Sequence, residues 1–165
     1  MKKHSFALFL TLIIFSFTGC NKNQERILTF TNYSKDINIH YVNNNEENIL
    51  DKNSVIEIFY DDGGAMYKVD RPHLDFPNGY NLIYNDEAED TILKLFTSDF
   101  FTVRDQRIYS KTYVKLGDYS MDTFTCQLYA DAGTISVVKV WHNDNLVWEV
   151  GEILYDSPRT IKIVK

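Results

Sequence analysis

The chain has 165 residues, of which 44% are hydrophobic, 15% aromatic and 24% charged, and its formal net charge is −6. This apolar content excludes a wholly disordered chain, and the seven glycines follow no repeat of the kind that a fibrous protein needs. The length is typical of one domain. With only three prolines, the sequence also leaves little room for long flexible linkers.

The first twenty residues have the pattern of an export signal. Lys2 and Lys3 precede an almost wholly apolar run over residues 6–17, which is short for a membrane span but typical of a signal peptide. The segment ends in Phe17-Thr18-Gly19-Cys20. This ending resembles the lipobox of bacterial lipoproteins, in which a small residue precedes a cysteine.

The resemblance implies that the Cys20 thiol first receives a diacylglycerol thioether. A signal peptidase then removes residues 1–19 by cutting after Gly19, and the new amino group of Cys20 takes a further acyl chain such as palmitate. Each buried methylene contributes about 0.8 kcal/mol, so two or three acyl chains hold a protein firmly in a lipid bilayer. Asn21 stands where an Asp would signal retention in the inner membrane, which favours the cell outer membrane. Whether the domain faces the periplasm or the outside stays open.

Cleavage changes the charge of the chain in a way that bears on its partners. Removing Lys2 and Lys3 reduces the 17 basic residues to 15 against 23 acidic residues, a formal charge of −8. Nucleic-acid-binding proteins usually carry a basic stripe, and this sequence shows none. We therefore expect no nucleic-acid partner.

Alternation of apolar and polar residues dominates the chain after a short spacer at residues 20–26, and predicts a single β-rich domain over residues 27–165. About nine or ten strands without helical crossovers favour an antiparallel β-sandwich of immunoglobulin-like architecture. A small antiparallel β-barrel is the alternative. The predicted strands are residues 27–31, 36–42, 54–60, 80–84, 91–97, 104–116, 123–129, 134–141, 146–150 and 160–164.

Polar turns are predicted between these strands at residues 32–35, 61–64 and 142–145. One segment has two interpretations. Residues 86–97 fit either an acidic loop followed by a strand, which we prefer, or a helix capped by Asn85.

The sequence has two cysteines. Because Cys20 is the predicted lipidation site, Cys126 has no cysteine to pair with, and no intramolecular disulfide is expected. Alternation places Cys126 on the same face as Phe124 and Leu128, which predicts an inert thiol in the core. The chain lacks the Gly-x-Ser-x-Gly motif of serine hydrolases and a glycine-rich phosphate loop. These observations favour a non-enzymatic protein.

A group of aspartates offers a candidate metal site. Asp61, Asp62, Asp70 and Asp75 lie within 15 residues of one another, and Ca²⁺ prefers such oxygen ligands. Their spacing does not match an EF-hand, so no cofactor is expected, although calcium stays an alternative. A small hydrolase that uses these carboxylates, with or without calcium, is the alternative to a binding protein.

Aromatic residues offer a candidate ligand site. Trp141 and Trp148 flank a predicted hairpin turn and could be neighbours across the ladder, with Tyr109, Tyr113 and other tyrosines nearby in sequence. Exposed aromatic side chains stack on sugars or anchor protein interfaces. The sequence therefore favours a lipid-anchored binding module for a glycan or an envelope protein. A purely structural or inhibitory lipoprotein is a further alternative.

Overall fold

The computed structural model describes residues 32–85, 90–131, 133–150 and 159–165, which form twelve strands in two sheets. Within these ranges, no helix is long and apolar enough to cross a bilayer. The larger sheet contains β1 (Asn32–Ser34), β3 (Ile56–Asp61), β4 (Met66–Lys68), β7 (Thr102–Arg104), β8 (Arg107–Leu116), β9 (Asp122–Asp131), β10 (Thr134–His142) and β11 (Asn145–Glu149). The smaller sheet contains β2 (Asp36–Val42), β5 (Tyr80–Asn85), β6 (Asp90–Phe96) and β12 (Thr160–Val164).

The strands are ordered β1-β10-β9-β8-β3-β4 in the larger sheet, with β11 added to β10 and β7 to β8. The smaller sheet has the order β12-β2-β6-β5. The twelve described strands do not join the two sheets into a closed barrel, and the predicted β-sandwich is confirmed.

Two strand pairs depart from the otherwise antiparallel arrangement, because β1 pairs with β10 and β12 pairs with β2 in parallel. Only Lys35 separates β1 from β2, although the two strands belong to different sheets. The chain therefore changes sheets without reversing. Each of these strands pairs with a strand from a distant part of the sequence.

Most of the strand predictions that fall in the described ranges are confirmed within a few residues. The predicted strands at 36–42 and 160–164 have the observed bounds, and the strand interpretation of 91–97 is confirmed by β6. The predicted turn at 32–35 is wrong, because it contains β1. The predicted strand at 27–31 and the acidic residues 86–89 lie outside the described residues.

The predicted strand at 104–116 is in fact the end of one strand, a turn and β8. Asp105 and Gln106 have φ angles of 49° and 62°, and Arg104 pairs with Arg107 across them. Two consecutive residues with positive φ form the tight turn that joins two antiparallel strands. The sequence contains only weak evidence of a turn here, because neither Asp105 nor Gln106 is the glycine that usually occupies such a turn.

The core lies between the sheets and is formed by the inward residues of both. Ile37, Ile39 and Tyr41 of β2 are fully buried and belong to the same cluster as Phe124 and Cys126 of β9. Burial raises the pKa of the Cys126 thiol to about 12. The thiolate that would react is therefore absent near neutral pH, and the prediction of an inert core thiol is confirmed.

A buried carboxylate joins the two sheets at one end of the sandwich. Asp122 at the start of β9 is 1% exposed, and its oxygens lie 2.8 Å from Tyr41 Oη, 2.8 Å from His142 Nε2 and 2.7 Å from Lys165 Nζ. Tyr41 and Lys165 belong to the smaller sheet or follow it directly, whereas His142 belongs to the larger sheet. We call these four residues the Asp122 cluster.

Burial alone would raise the pKa of Asp122, but hydrogen bonds from His142, Lys165 and Tyr41 outweigh it and hold this pKa below its usual range. The same burial, together with the adjacent carboxylate, raises the pKa of Tyr41 well above its ordinary value. Asp122 is therefore ionised and Tyr41 neutral in the folded protein near neutral pH.

We expect Asp122→Asn to lower the free energy of unfolding by about 3 kcal/mol near neutral pH, because it leaves the buried Lys165 ammonium without its carboxylate. A pKa lowered by folding contributes stability above the unfolded value of about 3.9, and this stability is lost as the pH falls through the folded pKa. The difference between wild type and variant should therefore shrink below about pH 4. Denaturant unfolding at several pH values measures it.

The matched control is Asp118→Asn, the same change at an exposed turn position. It should alter the unfolding free energy by no more than about 0.5 kcal/mol. Equal effects of the two substitutions, or a difference independent of pH, would contradict the role given to Asp122.

Candidate functional site

The four aspartates of the predicted calcium site do not form a metal centre. Among the described residues, no three His, Cys, Asp or Glu side chains lie close enough together to hold a metal ion. Asp61 instead accepts hydrogen bonds from the Gly63 amide at 2.8 Å and from the Tyr113 hydroxyl at 3.0 Å. Tyr113 and Gly63 thus occupy the carboxylate oxygens that calcium would need.

Asp62 is engaged in the same way, because it accepts from the amides of Ala65 at 2.8 Å and Gly64 at 3.0 Å. These backbone hydrogen bonds lower its pKa. The two adjacent acids shape the turn before β4, which explains their spacing without a ligand. Asp70 and Asp75 lie further along the chain and are exposed.

The two tryptophans lie on opposite faces of the larger sheet, so the expectation that they are neighbours across the ladder is wrong. Between β10 and β11, Trp148 pairs with the fully buried Val140, whereas Trp141 pairs with the half-exposed Leu146. Trp148 packs against the core. The register shift between Val140 and Trp141 assigns the two residues to different faces, and alternation alone does not show such a shift.

Trp141 lines a pocket of about 380 Å³ on the outer face of the larger sheet. The ring of Tyr109 lies 6.2 Å from that of Trp141, at an angle of 50°. Thr125 is paired with both Trp141 and Lys111, so three neighbouring strands contribute to the floor. We call this the Trp141 pocket, and its aromatic and charged lining residues are Arg104, Asp105, Tyr109, Lys111, Trp141 and Asp144.

Two hairpin turns supply the acidic groups of this pocket. Asp105 lies in the turn between β7 and β8, and Asp144 lies in the turn between β10 and β11. Asp144 also has a positive φ of 66°, like Asp105. Two-residue turns of this kind join adjacent antiparallel strands, so both carboxylates lie at hairpin tips beside the pocket.

The four charged side chains of the Trp141 pocket are available to a ligand. Within the described part of the chain, Arg104, Asp105, Lys111 and Asp144 make no hydrogen bond or ion pair through their side chains. Several charged side chains elsewhere on the strands are engaged, for example Lys68 with Glu57 and Lys139 with Glu149. The pocket therefore combines an aromatic floor with donors and acceptors of both signs.

One arrangement that resembles part of a catalytic site is the His142–Asp122 pair; His40 and Asp90 form a second such pair, also at 2.8 Å. Among the described residues, the hydrogen-bonding partners of the His142 ring are Asp122 at 2.8 Å and Asn143 at 3.2 Å. An Asp–His pair activates a nucleophile only when a hydroxyl or thiol also contacts the ring. Neither partner supplies one, so this pair is explained by its place in the Asp122 cluster.

No protein-family model, no curated protein and no solved structure matches this chain. The predicted cleavage site after Gly19 and the predicted lipidation site at Cys20 lie outside the described residues. Sequence reasoning identified Trp141 but missed the four charged residues around it. The other feature of the sequence that pointed to this site was the set of tyrosines near Trp141. Of these, Tyr109 lines the pocket, whereas Tyr113 binds Asp61 instead.

Proposed function

We propose that this protein is a non-catalytic binding module that holds a glycan in the Trp141 pocket, and that acylated Cys20 fixes it to a bacterial outer membrane. The observation that carries the glycan proposal is the composition of the pocket. An indole and a phenol ring line it, together with four charged side chains that have no hydrogen-bond or ion-pair partner among the described residues.

Sugar binding uses both aromatic contacts and hydrogen bonds to charged side chains. The C–H groups on one face of a pyranose ring pack against the electron-rich face of an aromatic side chain. The hydroxyl groups at the ring edge donate to carboxylates such as Asp105 and Asp144, and accept from cations such as Arg104 and Lys111. Hydrogen bonds to charged groups are about twice as strong as neutral ones, so a few of them orient a small ligand.

The dimensions of the pocket agree with a small glycan. Ligand pockets commonly have volumes of about 300–1,000 Å³. The Trp141 pocket, at about 380 Å³, lies near the lower end of that range and fits one or two sugar rings. Because it is open to solvent on the outer face of the sheet, a longer chain can extend beyond it.

The anchor proposal rests on the lipobox-like Phe17-Thr18-Gly19-Cys20. β1 begins at Asn32, so the twelve residues after Cys20 reach no more than about 43 Å at 3.3–3.6 Å per residue. The Trp141 pocket would then work close to a membrane surface. Glycans of the cell envelope, or of surfaces that the cell meets, are the ligands within that reach.

We expect Trp141→Ala to weaken glycan binding at least tenfold, because it removes the surface on which the sugar stacks. Screening the mature chain on a glycan array and then measuring affinities by calorimetry tests this. The control is Tyr119→Ala, which removes an exposed aromatic ring outside the pocket and should leave affinity unchanged. Equal binding by Trp141→Ala and wild type, or no binding to any glycan, would contradict the proposal.

We expect cells given labelled palmitate to label the wild-type protein and not Cys20→Ala, because the thiol is the proposed acceptor. The unlabelled variant should also leave the membrane fraction. Cys126→Ala is the matched control, and it should keep both the label and the membrane location. Labelling of Cys20→Ala, or loss of label from Cys126→Ala, would refute lipidation at Cys20.

A further inference from the structure

A second and larger cleft lies at the end of the sandwich opposite the Asp122 cluster. Its volume is about 850 Å³, and it lies where Lys35 enters β2, where β6 ends, and beneath the loop that follows β4. This loop contacts the sheet closely at Gly79, which has a φ of 76°. A Cβ there would lie 3.2 Å from both Tyr60 Oη and a methyl carbon of Val69.

One wall of the cleft is aromatic and partly open to solvent. The rings of Phe76 and Phe96 stack with their centres 4.6 Å apart. Phe76 and Phe101 each keep about 40% of their surface exposed, although both line a concave site. Large apolar side chains exposed within a cleft are typical of ligand sites, because a bound apolar group releases the water that covers them.

Beside these rings, one carboxylate bridges two cations. Asp99 binds Lys35 through one oxygen and Arg71 through the other, at 2.6 Å for Arg71. The cations are the more fixed members, because the Lys35 side chain is 10% exposed and lies over the Phe101 ring, and the Arg71 guanidinium lies 5.3 Å from the centre of Tyr60. Asp99 is 52% exposed. It therefore resembles an exchangeable counter-ion.

We propose that this cleft binds an amphipathic anion, with its carboxylate or phosphate head group on Lys35 and Arg71 and its apolar body against Phe76, Phe96 and Phe101. The head group takes the place of Asp99, which moves into solvent. A cationic ligand has fewer contacts available to it. Of the three acids that line the cleft, Asp36 is already paired with Lys94 at 3.3 Å and Asp99 with its two cations, which leaves the exposed Asp75.

The cleft shares no lining residue with the Trp141 pocket, so the tests of anion binding and of glycan binding are independent of each other. The probes are decanoate and decyl phosphate for the two head groups, with decanol and decyltrimethylammonium as uncharged and cationic comparators. Calorimetry uses the mature chain with Cys20→Ala, which needs no detergent, and probe concentrations below micelle formation. We expect saturable binding of at least one anion, and at least tenfold weaker binding of both comparators.

Asp99→Asn tests the proposal through the direction in which the affinity for the anion changes. It removes the carboxylate that competes with the ligand, so affinity for the bound anion should rise at least threefold. Phe76→Ala should lower that affinity about tenfold, whereas Asp118→Asn, outside the cleft, should leave it unchanged. Melting temperatures identify any variant that does not fold, and Arg71→Gln, expected to weaken anion binding at least tenfold, then replaces Asp99→Asn.

The proposal is overturned if neither anion binds, if decyltrimethylammonium binds more tightly than both anions, or if Asp99→Asn weakens anion binding. Tighter binding of decanoate than of decyl phosphate identifies a carboxylic acid as the ligand class. The reverse order identifies a phosphate ester.

Discussion

The contact between the Asp122 carboxylate and the smaller sheet is the constraint on which the rest of the structure depends. Within the described residues, the sandwich has a free cysteine and no disulfide, so its two sheets are held together by packing and by polar contacts such as this cluster and the 2.9 Å hydrogen bond from Tyr60 Oη to the Phe96 carbonyl. The cluster fixes the end of the sandwich where β2 and β12 finish. The other end of β2, about 17 Å away at 3.3–3.4 Å per residue, borders the open cleft.

Alternation in the sequence was enough to predict the sandwich, because most strands have one face in the core and the other in solvent. The seven residues of β2 and the five of β12 follow that rule and were predicted with their observed bounds. Alternation does not predict β1, β4 and β7, because these strands have three residues each and are too short to show a period. It also gives no information on which strands pair in parallel.

The sites were less accessible to sequence reasoning than the fold. Trp141 was recognised as a candidate, but its position away from Trp148 depends on a register shift, and Arg104 and Lys111 join it only through strand pairing. In the cleft, Asp99 is 64 residues from Lys35 and 28 from Arg71 in sequence, so no local sequence motif indicates that these three residues come together. Conversely, the adjacent Asp61 and Asp62 suggested a metal site because acids that shape turns resemble ligands in sequence.

The central claim is that Trp141 contacts a ligand whereas Trp148 belongs to the core. Nuclear magnetic resonance of the mature, ¹⁵N-labelled protein tests it directly, because the sequence has two tryptophans and hence two indole signals. The protein is titrated with glucose, galactose, N-acetylglucosamine and glucuronate at millimolar concentrations. The account predicts that at least one sugar shifts the Trp141 indole signal and leaves that of Trp148 unchanged. Shifts of Trp148 alone, or no shift with any sugar, would contradict it.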